Sequence, residues 1–211
     1  MSAVDSWPHV WIPGEAGAPL ALMLHGTGAD EHDLLVLGKT LLPGSPILSP
    51  RGRVSESGMN RWFARMGEGI FDVDDVIARA GELADFLRDA KAHYGVDGAP
   101  VVAVGFSNGA NIASALALLH PGSVRAVAAF SGMYPFGDRD PVIDATGVSL
   151  FLANGTDDPM APLPSVTKLD EVATSHGADV ARSVRQGGHG LSEHDLTEAR
   201  KWLAGLALTE L

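Results

Sequence analysis

VVAVGFSNGANIA, residues Val101–Ala113, decides how the rest of the chain is read. Val101, Val102 and Val104 mark a short buried strand. Gly105-Phe106-Ser107-Asn108-Gly109 follows, and then a helix to about Leu119. Strand, G-x-S-x-G and helix in that order form a nucleophile elbow. Ser107 must sit on a very sharp turn to present its hydroxyl, and glycines two residues to either side let strand and helix close up without Cβ clashes. The helix aims its positive end and free N–H groups at the same place.

Working outward, Leu20–Leu24 (LALML) is a continuous apolar run of strand length, as expected of a strand covered on both faces. It leads into the polar loop His25-Gly26-Thr27-Gly28-Ala29-Asp30 and a helix expected from about Glu31. Pro46–Ser49 reads as a second buried strand, and Val10–Ile12, between Pro8 and Pro13, as an edge strand. Val73–Tyr94 has a strong helical period closed by Gly95. Strands are expected at Val124–Phe130, Val148–Ala153 and Val180–Val184. Helices are expected from Leu163 to His176 and from a Ser192/Asp195 capping pair to about Leu206. Strands alternating with helices predict an α/β fold with a mostly parallel central sheet and helices on both faces. No linker or repeat interrupts it, so residues 1–211 read as one domain.

Pro50–Asp72 differs from the rest. It is a long connection rich in Gly and Arg that carries Trp62, Phe63, Met66 and Phe71. Such connections are usually functional or disordered, and the aromatics oppose disorder. It reads as a loop folding over the active site; the alternative is that Trp62 and Phe63 fill a satellite core.

Composition narrows the partners. Fifteen Lys+Arg against 26 Asp+Glu give a net charge of −11, which opposes binding to nucleic acid or anionic membranes. There is no cysteine, so disulfides, thiolate metal sites and a cysteine nucleophile are excluded. The N-terminal residues lack the apolar run of a secretory signal and no stretch approaches a membrane span, so the expected location is cytoplasmic.

Ligands of open parallel sheets bind beyond the carboxyl ends of the strands. A serine there needs an imidazole to take its proton, and the imidazole needs a carboxylate to fix its tautomer. Chain order Ser…Asp…His is satisfied by Ser107, Asp158 and His189, with Asp157 an open competitor by spacing alone. The two oxyanion donors are expected to be the main-chain N–H groups of Asn108 and Thr27, so the side chain at 27 should matter little. His25 is expected to brace its loop. A metal pair of His189 and His194 lacks any supporting pattern such as H-E-x-x-H, and no metal or cofactor is expected.

With these residues in hand, the chain resembles the phospholipase/carboxylesterase branch of the α/β-hydrolases, most of all the bacterial carboxylesterases linked to hydroquinone and quinone stress. The likeness shows in LHGTGADEHDLL (Leu24–Leu35), SPRGRVSESGMNRWFARMGEGIFD (Ser49–Asp72), GFSNGANIA (Gly105–Ala113), NGTDDPMAP (Asn154–Pro162) and GGHGL (Gly187–Leu191). In the family's G-x-x-D-P-x-x-P pattern the aspartate precedes the first proline, which selects Asp158. The resemblance implies an α/β-hydrolase fold with no large lid domain, small acyl or aryl esters as substrates, and dimers, which are common among relatives. Many relatives carry glutamine at the position of Asn108. The expected activity is that of a serine carboxylesterase, with Trp62, Phe63, Met66, Met133, Tyr134 and Phe136 as the expected pocket wall. The alternatives are a lysophospholipase or acyl-protein thioesterase, a lactone or carbon–carbon hydrolase of aromatic degradation, and, from another class, a non-catalytic small-ligand binder.

Overall fold

The computed structural model describes residues 4–139 and 141–208. In chain order, β1 (His9–Ile12), β2 (Leu20–Leu24), α1 (Leu35–Leu41) and β3 (Ile47–Pro50) come first. Four short strands follow: β4 (Val54–Glu56), β5 (Met59–Arg61), β6 (Arg65–Gly67) and β7 (Ile70–Phe71). Then come α2 (Val73–Tyr94), β8 (Val101–Phe106), α3 (Asn108–Leu119), β9 (Ala126–Phe130), β10 (Ser149–Gly155), α4 (Leu163–Ser175), β11 (Asp179–Arg185) and α5 (Glu193–Ala204).

Seven strands form the main sheet in the order β1-β3-β2-β8-β9-β10-β11. All neighbours pair in parallel except β1, which lies antiparallel to β3 at the edge, where its flanking prolines cost no ladder hydrogen bond. The alternation of side chains along β2 explains why the sheet is covered twice. Leu20, Leu22 and Leu24 enter a core shared with α2 and α3, while Ala21 and Met23 enter the opposite core shared with α1 and α5. α3, the helix after the elbow, is buried over nearly its whole circumference, consistent with its almost unbroken apolar sequence. No helix among the described residues is long and apolar enough to cross a membrane.

The termini of the helices follow their capping chemistry. Asp72 caps α2 by accepting from the Asp75 N–H, and Gly95 closes it in the left-handed region at φ 69°. Ser192 and Asp195 form the expected reciprocal capping box on α5. α1 is the exception: it starts at Leu35, four residues after the expected Glu31. Asp30 Oδ1 accepts from the His32 N–H, and Glu31 is held by Arg51 Nη2 at 2.6 Å, so residues 31–34 are spent on turns.

Pro50–Asp72 is not the irregular loop the sequence suggests. It folds as two antiparallel hairpins, β4–β5 and β6–β7, each too short to carry a hydrophobic period. Trp62 and Phe63, between them, are 2% and 0% exposed and belong to the main core rather than to a satellite.

Candidate active site

Ser107 stands at φ 54°, ψ −117°, a conformation L-residues adopt only under strain. The two glycines of the elbow are explained by backbone approach. A Cβ on Gly105 would overlap the carbonyl of Gly109, and one on Gly109 would overlap the carbonyl of Leu24. The strain is held by the Ser107 N–H donating to Phe130 O at 2.9 Å and by Asn111 N–H donating to Ser107 O at 3.1 Å.

Three loops at the carboxyl ends of β8, β10 and β11 bring Ser107, Asp158 and His189 together. His189 Nε2 lies 2.9 Å from Ser107 Oγ, and His189 Nδ1 lies 2.8 Å from Asp158 Oδ2. The Asp158 side chain is fully buried, and its second oxygen accepts from the N–H groups of Met160 (2.8 Å) and Ala161 (3.1 Å). An acceptor carboxylate fixes the proton on Nδ1 and leaves Nε2 free to accept from the serine hydroxyl. Asp157 is exposed, and its side chain accepts from the neighbouring Thr156 Oγ1 at 3.1 Å. His194 sits on α5 beside Ser183, at 3.4 Å, apart from this group.

The His189 loop is fastened from two sides. Arg185 Nη2 donates to Gly188 O (3.2 Å) and Gly190 O (2.8 Å), while its Nε donates to the buried Asp195 at 2.6 Å. Ser131, itself at φ 50°, donates from Oγ to Gly190 O at 3.1 Å.

Thr27 lies in the loop after β2, and Asn108 opens α3 directly after Ser107. The side chains of both are hydrogen-bonded. Asn108 Oδ1 accepts from the Trp62 N–H at 2.8 Å, and Thr27 Oγ1 accepts from Arg61 Nη1 at 3.0 Å. His25 braces the loop as expected: Nδ1 donates to Gly26 O (2.7 Å) and Nε2 accepts from the Gly52 N–H (2.9 Å). Burial holds its pKa below the usual histidine value, only partly opposed by the Gly26 carbonyl, and keeps the ring neutral.

The expected pocket wall divides. Met133 and Tyr134 line a cleft of about 470 Å³ with Phe71, Met160 and Lys168, next to the Asp158 loop. Phe63 and Phe136 do not line it; both are completely buried, because they are drawn into the core over α2 and α3. Trp62 is buried beneath the loop after β2, where its Nε1 donates to His25 O at 2.9 Å. Met66 lies on β6 with 80% of its surface exposed. Two further clefts, of about 550 and 520 Å³, share Lys91 and Asp97 and open at the opposite ends of the strands, away from Ser107. Among the described residues one acidic group, Asp30, Glu31 and His32, is close enough to gather a metal ion, but Glu31 is already committed to Arg51.

Sequence reasoning missed Arg61, Arg185 and Ser131. Arg61 and Ser131 bond to residues 34 and 59 positions away, Arg185 bonds within its own loop and the helix after it, and none belongs to a motif with fixed spacing. A lone arginine beside Trp62-Phe63 was the only available signal for Arg61.

Residues 7–206 match the phospholipase/carboxylesterase family. The chain belongs to that family. It is 36% identical over 194 residues to the MhqD protein of Bacillus subtilis, covering 92% of this chain and 96% of that one. The fold superposes on a Bacillus cereus carboxylesterase with a TM-score of 0.90 at 35% identity, covering 94% of both chains. A Mesorhizobium loti carboxylesterase gives 0.87 at 31% identity, over 95% of each. The architecture is therefore the α/β-hydrolase fold, and the chain is a carboxylic ester hydrolase.

Proposed function

We propose that this hydrolase is a serine carboxylesterase of small acyl or aryl esters, acting through an acyl-enzyme. The observation that carries the reading is the continuous relay Ser107 Oγ–His189 Nε2–Asp158 Oδ2, at 2.9 and 2.8 Å, on a serine held at positive φ. His189 takes the proton as Ser107 Oγ attacks the ester carbonyl, and Asp158 stabilises the imidazolium that results. The carbonyl oxygen gains negative charge and accepts from the main-chain N–H groups of Thr27 and Asn108. His189 returns its proton to the departing alkoxide or phenoxide. Water, deprotonated by the same imidazole, then releases the acid and regenerates Ser107. No metal or cofactor has a step in this sequence.

Hydrolysis of p-nitrophenyl acetate, butyrate, octanoate and palmitate tests the reading. Activity is expected to peak at the short chains, and Ser107→Ala to lower kcat by about 10⁴–10⁶ with the fold intact. Asp158→Asn is expected to lose far more activity than Asp157→Asn. A peak at palmitate would move the protein to the lysophospholipase or thioesterase branch, and full activity in Ser107→Ala would remove the mechanism.

A further inference from the structure

The β4–β5 hairpin and the residue after it touch both halves of the oxyanion site. Gly28 N–H donates to Asn60 O at 2.9 Å, and Asn60 Nδ2 donates to Ala29 O at 2.9 Å. Arg61 Nη1 reaches Thr27 Oγ1 at 3.0 Å, and the Trp62 N–H reaches Asn108 Oδ1 at 2.8 Å. Three consecutive residues thus tie the Thr27 loop to the start of α3, although these two segments are far apart in the chain.

Arg61 is the unusual member. It is 3% exposed, and its Nε donates to Phe63 O at 3.3 Å. Its one nearby carboxylate, Glu56 Oε2 at 3.4 Å, makes no hydrogen bond, and the other oxygen of Glu56 serves Arg65 at 3.0 Å. Burial accordingly pulls the Arg61 pKa down, Arg65 adds to this, and Glu56 offsets only part. Taking a guanidinium out of water is costly, and a single loosely placed carboxylate offsets that cost only in part. A buried guanidinium directed at Thr27 needs a reason beyond packing.

We propose that Arg61 is a positioning residue of the oxyanion hole: through Thr27 Oγ1 it fixes the Thr27 amide at its working separation from the Asn108 amide, and places a buried positive charge behind the developing oxyanion. This rests on the serine-esterase reading above. Such an interaction matters most when charge develops, so its loss should appear in kcat rather than in KM. Removing an oxyanion donor outright costs about 10²–10³ in rate. Loosening one should cost less, about 10–100-fold.

The test is steady-state hydrolysis of p-nitrophenyl acetate by wild type, Thr27→Val, Arg61→Met, Arg61→Lys and the Thr27→Val/Arg61→Met double variant, with Ser107→Ala alongside. Inhibition by phenyl trifluoromethyl ketone, which adds to the serine oxygen as a hemiketal oxyanion, is measured in parallel. Thr27→Val and Arg61→Met are each expected to lose about 10–100-fold in kcat with KM within about twofold, and to weaken the ketone by a similar factor. The double variant should lose no more than Arg61→Met alone, because both remove the same contact, and Arg61→Lys should recover part of the rate. Wild-type kcat in Thr27→Val would overturn the proposal, as would losses that multiply in the double variant. If Arg61→Met does not fold, Thr27→Val decides alone, since it exchanges only a hydroxyl for a methyl. An active Ser107→Ala would instead overturn the serine-esterase reading.

Discussion

Replacing Arg185 by methionine should loosen the His189 loop and destabilise the protein at once. The guanidinium makes three hydrogen bonds, to Asp195 Oδ2 and to the carbonyls of Gly188 and Gly190 on either side of His189. Its side chain is 15% exposed and that of Asp195 only 2%. Removing one partner of a buried pair typically costs about 3–5 kcal/mol, because the other charge is left unpaired. Asp195 keeps the Ser192 N–H at 2.9 Å and the Ser192 hydroxyl at 2.8 Å, and it lies in the first turn of α5, where a carboxylate is favoured. The lower end, about 3 kcal/mol, is therefore expected. For a chain of this size that lowers Tm by roughly 6–12 °C. The freed carbonyls let His189 drift from Ser107, and a displacement near 1 Å costs up to about 10²-fold in rate. Calorimetry and p-nitrophenyl acetate turnover at neutral pH, well below the variant's Tm, measure the two effects. Asp195→Asn separates them: it should lose stability yet keep most of kcat, because Arg185 still holds both carbonyls. Arg185→Met with Tm within about 2 °C and kcat within about twofold of wild type would refute the reasoning.

Three further predictions concern the framework. His25 has a folded pKa held below its unfolded value of about 6.5, so the unfolded chain binds the extra proton first. Above that pH His25 contributes no slope. As pH falls from about 6.5 toward the folded pKa, stability is progressively lost, so the fall in Tm over this window should be shallower in His25→Gln than in wild type; equal slopes would assign the acid loss to other groups. Gly109→Ala places a Cβ against the Leu24 carbonyl, where only backbone could yield, and should cost about 3 kcal/mol or more in denaturant unfolding. Gly81→Ala, inside α2 with nothing closer than His120 at 3.7 Å, should instead gain about 0.5–1 kcal/mol.

What was legible in the sequence is what local chemistry specifies. LALML has one plausible structure, because a five-residue apolar run cannot alternate faces against water, and β2 occupies those five residues. Ser107 and His189 stood out because each lies in a Gly-marked turn after a strand, whereas spacing left Asp157 and Asp158 open and only the family pattern selected Asp158. The hairpins of residues 54–71 were not. Strands of two or three residues show no period, and their position is set by long-range bonds such as Trp62 N–H to Asn108 Oδ1. For the same reason Phe63 and Phe136 could be recognised as apolar but not assigned: nothing local distinguishes a pocket wall from the core behind it.

The distances across the sheet explain why the supporting residues sit where they do. Neighbouring strands lie about 4.8 Å apart, so β11, three places from β8, starts its loop roughly 14 Å from the strand that carries Ser107. His189 must be returned across β10 and β9 to reach the serine. Each strand it crosses supplies a support. At β11 Arg185 holds the carbonyls of Gly188 and Gly190. At β10 Gly155 has no side chain, which lets the Gly187 carbonyl pass against its backbone, and the loop after it delivers Asp158 to Nδ1. Beyond β9 Ser131 holds Gly190 through its hydroxyl, at the cost of a positive φ. An imidazole carried by a free loop would sample many positions over that span. Fixed at successive strands, it meets Ser107 Oγ at 2.9 Å, so the ordering entropy of the imidazole is settled in folding.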